Sequence, residues 1–436
     1  MLTAGLMFPA LFVLVLVGLP ISFSLALVSV AAGWVAFGGH AVDQLYGAFY
    51  SAATNFILSA IPMFILMGAL LERSGIAERL FRVMNLWLGR LPGGLAVATI
   101  AMGAVFAAAA GVVGAVEVMI GMMAIPAMQR ARYDNSLIAG TICAGGSLGT
   151  MIPPSVIAVL YASLAQISVG RLMAGMVFPG LIMVALFIVY ILIRGKLRPP
   201  APVEVDELGR MPLGQKLWLT VTSLIPVFAL IFAVLGSLLA GIASPTEAAA
   251  VGALGALLLC IAYRRFSLTV LRESLRITVQ ISAMILLIVA AGTMFMGVFA
   301  ANGGSQLIRG FVEDVGFGTA GMLAFFLLIV FLLGFVLDWT ANVLICVPLF
   351  APMIRAADVD PIWFGTMVLI VLQTGYLTPP MASSIFYLKS IAPPDMTYGQ
   401  MCRGVVPYIV LQLVTLIIVA LVPVTVTWLP DQIVGF

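Results

Sequence analysis

The sequence predicts an all-α polytopic membrane protein built from two inverted repeats, each with a re-entrant hairpin and a broken helix. Three observations point there. The 436-residue chain is 63% hydrophobic and 8% charged, with mean hydropathy +1.22, whereas soluble domains carry about 25% charged residues. A glycine-rich break followed by Pro-Pro occurs twice, at Gly145-Gly146-Ser147-Leu148-Gly149-Thr150-Met151-Ile152-Pro153-Pro154-Ser155 and at Thr374-Gly375-Tyr376-Leu377-Thr378-Pro379-Pro380-Met381. The 20 basic residues also fall very unevenly on the two sides of the implied membrane. The apolar runs are long and unbroken, which excludes an outer-membrane barrel of short alternating strands. No basic tail points to nucleic acid. Cys143, Cys260, Cys346 and Cys402 lie far apart in apolar runs, so neither a disulfide framework nor a zinc site is expected. The N-terminus lacks a basic leader and reads as a first span.

The elements follow in order. Residues 1–18 and 20–37 are apolar around Gly18-Leu19-Pro20, which predicts a tight helical hairpin or one kinked helix. A short loop holds His40 and Asp43, and 55–72 is the next span. Over 76–91, Glu78, Arg79, Arg82 and Arg90 alternate with Leu80, Phe81, Met84 and Trp87; this is an amphipathic helix suited to the membrane interface. Residues 92–130 are rich in Gly and Ala, and neither half is a comfortable span, so they read as a re-entrant hairpin with Gly111 and Gly114 near its tip. The first broken helix is 135–165, and 172–193 is a span. The stretch 194–216 is the only long polar linker.

The plan then repeats: spans at 217–241 and 245–262, an arginine-bearing interfacial segment at 263–277, and a span at 278–300. A second hairpin at 319–357 has Asp338-Trp339-Thr340-Ala341-Asn342 at its tip. The second broken helix is 362–390, and the last span is 405–428. The domain division is therefore 1–193, linker 194–216, and 217–436. Offsets support the duplication. Pro20 and Pro245 differ by 225, and Gly75 and Gly303 by 228; Pro126/Pro352, Gly149/Gly375, Pro153/Pro379, Pro154/Pro380 and Tyr161/Tyr387 all differ by 226.

A re-entrant hairpin adds no net crossing, so the first repeat crosses five times and the second is inverted. With a cytoplasmic linker, 17 of the 20 basic residues face the cytoplasm, leaving only Arg171, Arg309 and Arg355 opposite. This is the positive-inside pattern, and it places both termini in the periplasm.

The run Cys143 to Ser155 resembles the signature of the large membrane subunit of tripartite ATP-independent periplasmic (TRAP) transporters. Gly375-Tyr376-Leu377-Thr378-Pro379-Pro380-Met381 is similar to its second-half partner. Ser244-Pro245-Thr246-Glu247-Ala248-Ala249-Ala250 and Ala392-Pro393-Pro394-Asp395 also resemble family segments. The likeness covers essentially the whole chain. It implies a sodium-driven importer of organic acids in the bacterial inner membrane, working by an elevator motion. It implies two partners, a small four-helix membrane subunit and a periplasmic substrate-binding protein. One departure concerns the first hairpin tip, where the family usually places a hydroxyl residue before the glycine. Here the run is Ala107-Ala108-Ala109-Ala110-Gly111-Val112-Val113-Gly114, so a sodium ligand there must be a backbone carbonyl.

The residues themselves give a chemical reading. No Lys or Arg falls within a span or hairpin core, so an anionic solute at the midplane must be met by half-helix dipoles or by bound cations. Carbonyls freed by glycine breaks, with hydroxyl oxygens, suit sodium. The candidate sodium ligands are Gly111, Gly114, Gly146, Ser147, Gly149, Asp338, Thr340, Gly375, Thr378 and Met381. The candidate substrate contacts are Pro154, Ser155, Pro380 and Ser383. Sodium is the expected coupling ion, with no organic cofactor. The alternative is that the Gly and Pro residues only permit close packing or kinks. Asp338 suits a cation site or tip folding, Glu247 suits a helix cap, and Glu117 has no assigned role. Two other functions fit parts of the pattern. One is an ion-coupled antiporter or anion permease of similar architecture. The other is an intramembrane serine hydrolase, since Gly145-Gly146-Ser147-Leu148-Gly149 matches Gly-x-Ser-x-Gly and His40 is the lone histidine. No Gly-x-x-x-x-Gly-Lys-[Ser/Thr] occurs, so the chain does not use ATP.

Overall fold

A computed structural model describes residues 2–110, 113–199, 211–304, 306–307, 310, 316, 318–379 and 382–433. Among these, seven helices are long and apolar enough to cross a membrane. Helices α1 (Leu2–Leu16) and α2 (Ile21–Phe37) pack together, as the hairpin reading expects. The chain then departs from expectation. A short 3-10 turn at Gly38–His40 leads directly into α3 (Ala41–Thr54), so His40 and Asp43 stand at a helix start and not in a loop. Helix α3 buries only the small residues Ala41, Ala48 and Ala52. Its large residues Tyr46 and Tyr50 face outward.

Helix α4 (Ala60–Arg73) turns by 66° into the amphipathic α5 (Ile76–Leu88). Gly75 makes that turn in the left-handed region, at φ +73°, and its repeat mate Gly303 ends a helix at φ +82°. Side chains rarely tolerate this region, so the shared sign supports the duplication. Helices α6 (Gly94–Ala110) and α7 (Val113–Arg130) form the first hairpin. Helices α8 (Asn135–Ser147) and α9 (Val156–Ala165) are the halves of the first broken helix, and α10 (Val169–Leu197) follows.

The second repeat opens with α11 (Leu213–Leu239) and α12 (Pro245–Ala262). Helix α10 and α11 thus reach into the polar stretch from both ends. The expected interfacial segment at 263–277 is continuous with the next span, forming the 34-residue α13 (Leu268–Ala301). No Gly or Pro interrupts it before Gly292. Its charged start is held at Glu273, which takes a hydrogen bond of 3.4 Å from Arg73. The second hairpin is α14 (Thr319–Leu333) and α15 (Trp339–Ala356). The second broken helix is α16 (Pro361–Leu377) and α17 (Ser383–Lys389), followed by α18 (Tyr398–Leu421) and a short α19 (Val424–Gln432).

Local sequence sets the helix starts. Asp134, Ser168, Ser267, Asp338 and Asp360 each accept a hydrogen bond from an amide in the first turn, satisfying donors that have no partner within the helix. Ser244 with Glu247 and Thr397 with Gln400 form reciprocal capping boxes. Glu247 therefore serves as the cap partner its position suggests.

The helices pack as two groups. In one, α12 lies against α4, and α13 against α2, α3 and α4. In the other, α8 packs on α6, α7 and α18, and α16 on α18. Glycine sets the closest approach in the second group. A Cβ on Gly140 would strike the Gly404 carbonyl, and one on Gly404 would strike that of Ser136. Such small-residue contacts drive helix association where lipid offers no hydrophobic gain. The groups meet where α13 touches α15 and where α4 and α5 touch α6.

Candidate functional site

The first break begins where α8 ends at Ser147 and passes through a turn at Leu148–Thr150. Its hydroxyls turn inward to the freed carbonyls. Ser147 Oγ donates to the Ala144 carbonyl at 2.9 Å, Thr150 Oγ1 to Ser147 at 2.8 Å, and Ser155 Oγ to Thr150 at 2.9 Å. Exposed backbone groups are not tolerated in lipid, and all three of these residues are buried. In the second break, Thr378 Oγ1 donates to the Thr374 carbonyl at 2.7 Å.

The two broken helices touch at symmetry-related positions. Gln373 Nε2 donates to Ser147 Oγ at 3.2 Å, and these residues are 226 apart, the offset that relates the repeats. The Gln373 Oε1 atom is buried without a partner.

A cavity of about 170 Å³ lies in front of these breaks. The first hairpin contributes Gly114 and the second contributes Asp338 and Trp339. The broken helices supply Val156, Ile157, Tyr376, Ser383 and Tyr387, and α4 and α13 close it with Ile65, Ile281, Met284 and Ile285. A smaller cavity of about 20 Å³ adjoins it, with Gly334, Asp338, Asn342, Gly375 and Ser383 in its wall. Among the described residues, no lining residue is basic.

Asp338 stands between the two arms of the second hairpin. It caps α15 by accepting from the Thr340 amide at 3.1 Å, and it faces both cavities. Asn342 Nδ2 donates to the Val330 carbonyl at 2.9 Å and ties the hairpin arms together. Thr340 is buried, with its Oγ1 unpartnered.

The sequence candidates thus separate. Gly114, Asp338, Gly375 and Ser383 come together on the cavities. Gly146, Ser147, Gly149, Thr340, Thr378, Pro154 and Ser155 are not in the cavity walls; of these, all but Thr378 are buried. Gly111, Pro380 and Met381 lie outside the described residues. Sequence reasoning passed over Trp339, Tyr376 and the scaffold residues Ile281, Met284 and Ile285. Tyr387 carried a signal, its 226-residue offset from Tyr161.

Glu117 on α7 is fully buried, and neither carboxylate oxygen has a hydrogen-bond partner. Its side chain lies where a Cβ of Gly146 would sit. The Ala392–Asp395 segment also gains a structural role. Gln129 Nε2 donates to Asp395 Oδ2 at 3.2 Å, and Asn135 Nδ2 to the Asp395 carbonyl at 3.2 Å. This clasps the end of the first hairpin and the start of α8 to the segment that follows the second broken helix. The hydrolase reading lacks its geometry. Ser147 is fully buried and hydrogen-bonded, whereas His40 is exposed and pairs with Asp43 at 3.1 Å.

Comparison with known proteins gives concordant findings. The family described as "Tripartite ATP-independent periplasmic transporter, DctM component" matches residues 8–425. The chain is 31% identical over 398 residues to the C4-dicarboxylate TRAP transporter large permease protein DctM of Pseudomonas aeruginosa, covering 91% of each. It is 31% identical over 422 residues to the ectoine/5-hydroxyectoine TRAP transporter large permease protein UehC of Ruegeria pomeroyi, covering 94% of each. Among solved structures, the YdaH transporter of Alcanivorax borkumensis superposes with a TM-score of 0.60 at 15% identity, covering 95% of this chain and 98% of that one. That likeness speaks to the fold.

Proposed function

This chain belongs to the DctM component family of tripartite ATP-independent periplasmic transporters, and we propose on that premise that it is a sodium-coupled importer subunit for an organic acid. The observation that supports this most is the 170 Å³ cavity, walled on one side by both hairpins and both broken helices and on the other by α4 and α13. Among the described residues its only charged lining residue is Asp338. An anionic solute entering it meets no side-chain cation, and burying a carboxylate unpaired costs several kcal/mol or more. Sodium held near the breaks supplies the missing charge, with the half-helix dipoles adding a smaller share. Solute and sodium then bind cooperatively, and each raises the affinity for the other.

The division into two helix groups suits an elevator motion. The group bearing hairpins and broken helices carries the solute past the scaffold of α1 to α4 and α11 to α13. Both termini lie in the periplasm and the linker in the cytoplasm. A periplasmic binding protein delivers the solute, and a small four-helix membrane subunit completes the assembly. Two relatives are named for C4-dicarboxylate and for ectoine, which fits selection resting largely with the binding protein.

Reconstitution tests the assembly. Proteoliposomes with this chain, the small subunit and solute-loaded binding protein should show uptake, and this chain alone should show negligible uptake. Robust uptake by the chain alone would refute the tripartite reading.

A further inference from the structure

The turn that joins α3 to α4 belongs to the scaffold, and one of its residues reaches across to the hairpins and broken helices. Asn55 Oδ1 accepts from the amides of Ile57 and Leu58 at 3.0 and 3.4 Å. With Oδ1 held by the turn, Nδ2 points away from it and donates to Ser163 Oγ at 3.1 Å, near the end of α9. The turn is also held from behind. Thr246 Oγ1 donates to the Phe56 carbonyl at 3.1 Å and lies 3.2 Å from Ser59 Oγ. Thr246 stands inside the capping box of Ser244 and Glu247 that starts α12. The Ser244-Pro245-Thr246-Glu247 run therefore fixes the turn, and the turn aims the Asn55 amide.

Helices α9 and α13 share two cavities in succession. The first residues of α9, Val156 and Ile157, line the 170 Å³ cavity with Ile281 and Ile285 of α13. Its later residues, Ser163 and Leu164, line a second cavity of about 260 Å³ with Val289 and Thr293 of α13. Asn55 stands in the wall of this second cavity as well. The Asn55–Ser163 bond thus borders free space and can part without opening a packed core. Close by, α13 meets α15 through an apolar contact of Gly292 with Leu344. Apolar contact is non-directional and tolerates sliding, whereas a hydrogen bond weakens steeply once its distance and angle change. A shift of one helix group along α13 keeps the first kind of contact and loses the second.

We propose that Asn55 and Ser163 form a latch, which holds the group of hairpins and broken helices in the register seen here and opens in each transport cycle. The proposal rests on the elevator reading above and adds the residue pair that sets one end state. In the orientation given there, α4 runs from this turn toward the arginine-bearing α5 on the cytoplasmic side. The latch therefore acts on the periplasmic side of the scaffold. The position 226 residues beyond Ser163 is Lys389, whose ammonium lies over the Tyr398 ring. The second repeat thus has no equivalent hydroxyl, and the latch favours one end state over the other.

Two measurements test it. In the first, Asn55→Cys and Ser163→Cys are combined with Cys402→Ser in proteoliposomes holding the complete assembly, and a short bifunctional methanethiosulfonate joins the pair. Uptake should fall to background once the pair is linked and return on reduction, with the single cysteine variants treated alike as the baseline. Linked protein that takes up solute at the baseline rate overturns the proposal. So does a pair whose thiols each react but never link. The second measurement needs no transport. Cysteines replacing the exposed Ala53 of α3 and Ala356 of α15, in the Cys402→Ser chain, carry spin labels that report the separation of the two groups. Ser163→Ala leaves the Asn55 cap on Ile57 and Leu58 in place. It should lower the ratio of latched to unlatched register about fivefold, the worth of one neutral hydrogen bond. Distance distributions that superpose with and without Ser163 overturn the latch, also where the double cysteine variant fails to fold. An unmodified assembly that takes up no solute counts against the transport reading alone, and the spin-label result then decides the latch.

Discussion

At the residue scale, Gly146 shows how one position links a motif to packing. The sequence offered it as a carbonyl donor, and the structure adds a steric reason, because the Glu117 side chain fills the place of its Cβ. Gly114 has a similar reason, with a Cβ there lying 2.6 Å from the Tyr387 ring. Overpacking a tight core costs roughly 1–3 kcal/mol. Gly146→Ala should therefore lower the thermal midpoint of the purified protein in sodium-free buffer. Combining it with Glu117→Ala should recover much of that loss, because the added methyl then has room. Thermal unfolding of the single and double variants checks this, and strictly additive losses would contradict the contact.

At the scale of elements, the hairpins and broken helices were legible because Gly and Pro interrupt apolar segments too short to span. The caps were legible at Ser244-Pro245-Thr246-Glu247. Helix α3 was not, since His40 and Asp43 beside two glycines look like a loop, and the helix hides only alanines. Helix α13 was split in error because Arg272, Glu273 and Arg276 resemble an interfacial segment. Nothing between them and Gly292 breaks a helix. The site divides along the same line. Asp338 and Ser383 stand out as polar residues beside breaks. Trp339, Tyr376 and Ile281 are indistinguishable in sequence from ordinary core. The elements also predict an orientation. With the linker between α10 and α11 cytoplasmic, a cysteine at Met211 should resist impermeant thiol reagents in intact cells and react after permeabilisation. Cys143, Cys260 and Cys346 are buried, and the partly exposed Cys402 is replaced by serine so that only the introduced thiol reports. Ready labelling in intact cells would invert the assignment.

At the scale of the whole molecule, two repeats meet at the Ser147–Gln373 contact and share one cavity that also touches the scaffold. That arrangement suits the proposed elevator motion, in which a solute travels with one group of helices while the other stays fixed. None of the described lining residues is basic, which supports the proposal that bound cations supply the missing charge. Sodium coupling is thus the central claim. The most direct measurement is the initial rate of solute uptake against external sodium, in proteoliposomes holding the complete assembly. The rate should rise from near zero to saturation with sodium, and an inward sodium gradient should drive accumulation when no proton gradient is present. Uptake that ignores sodium and is driven equally well by a proton gradient alone would contradict it.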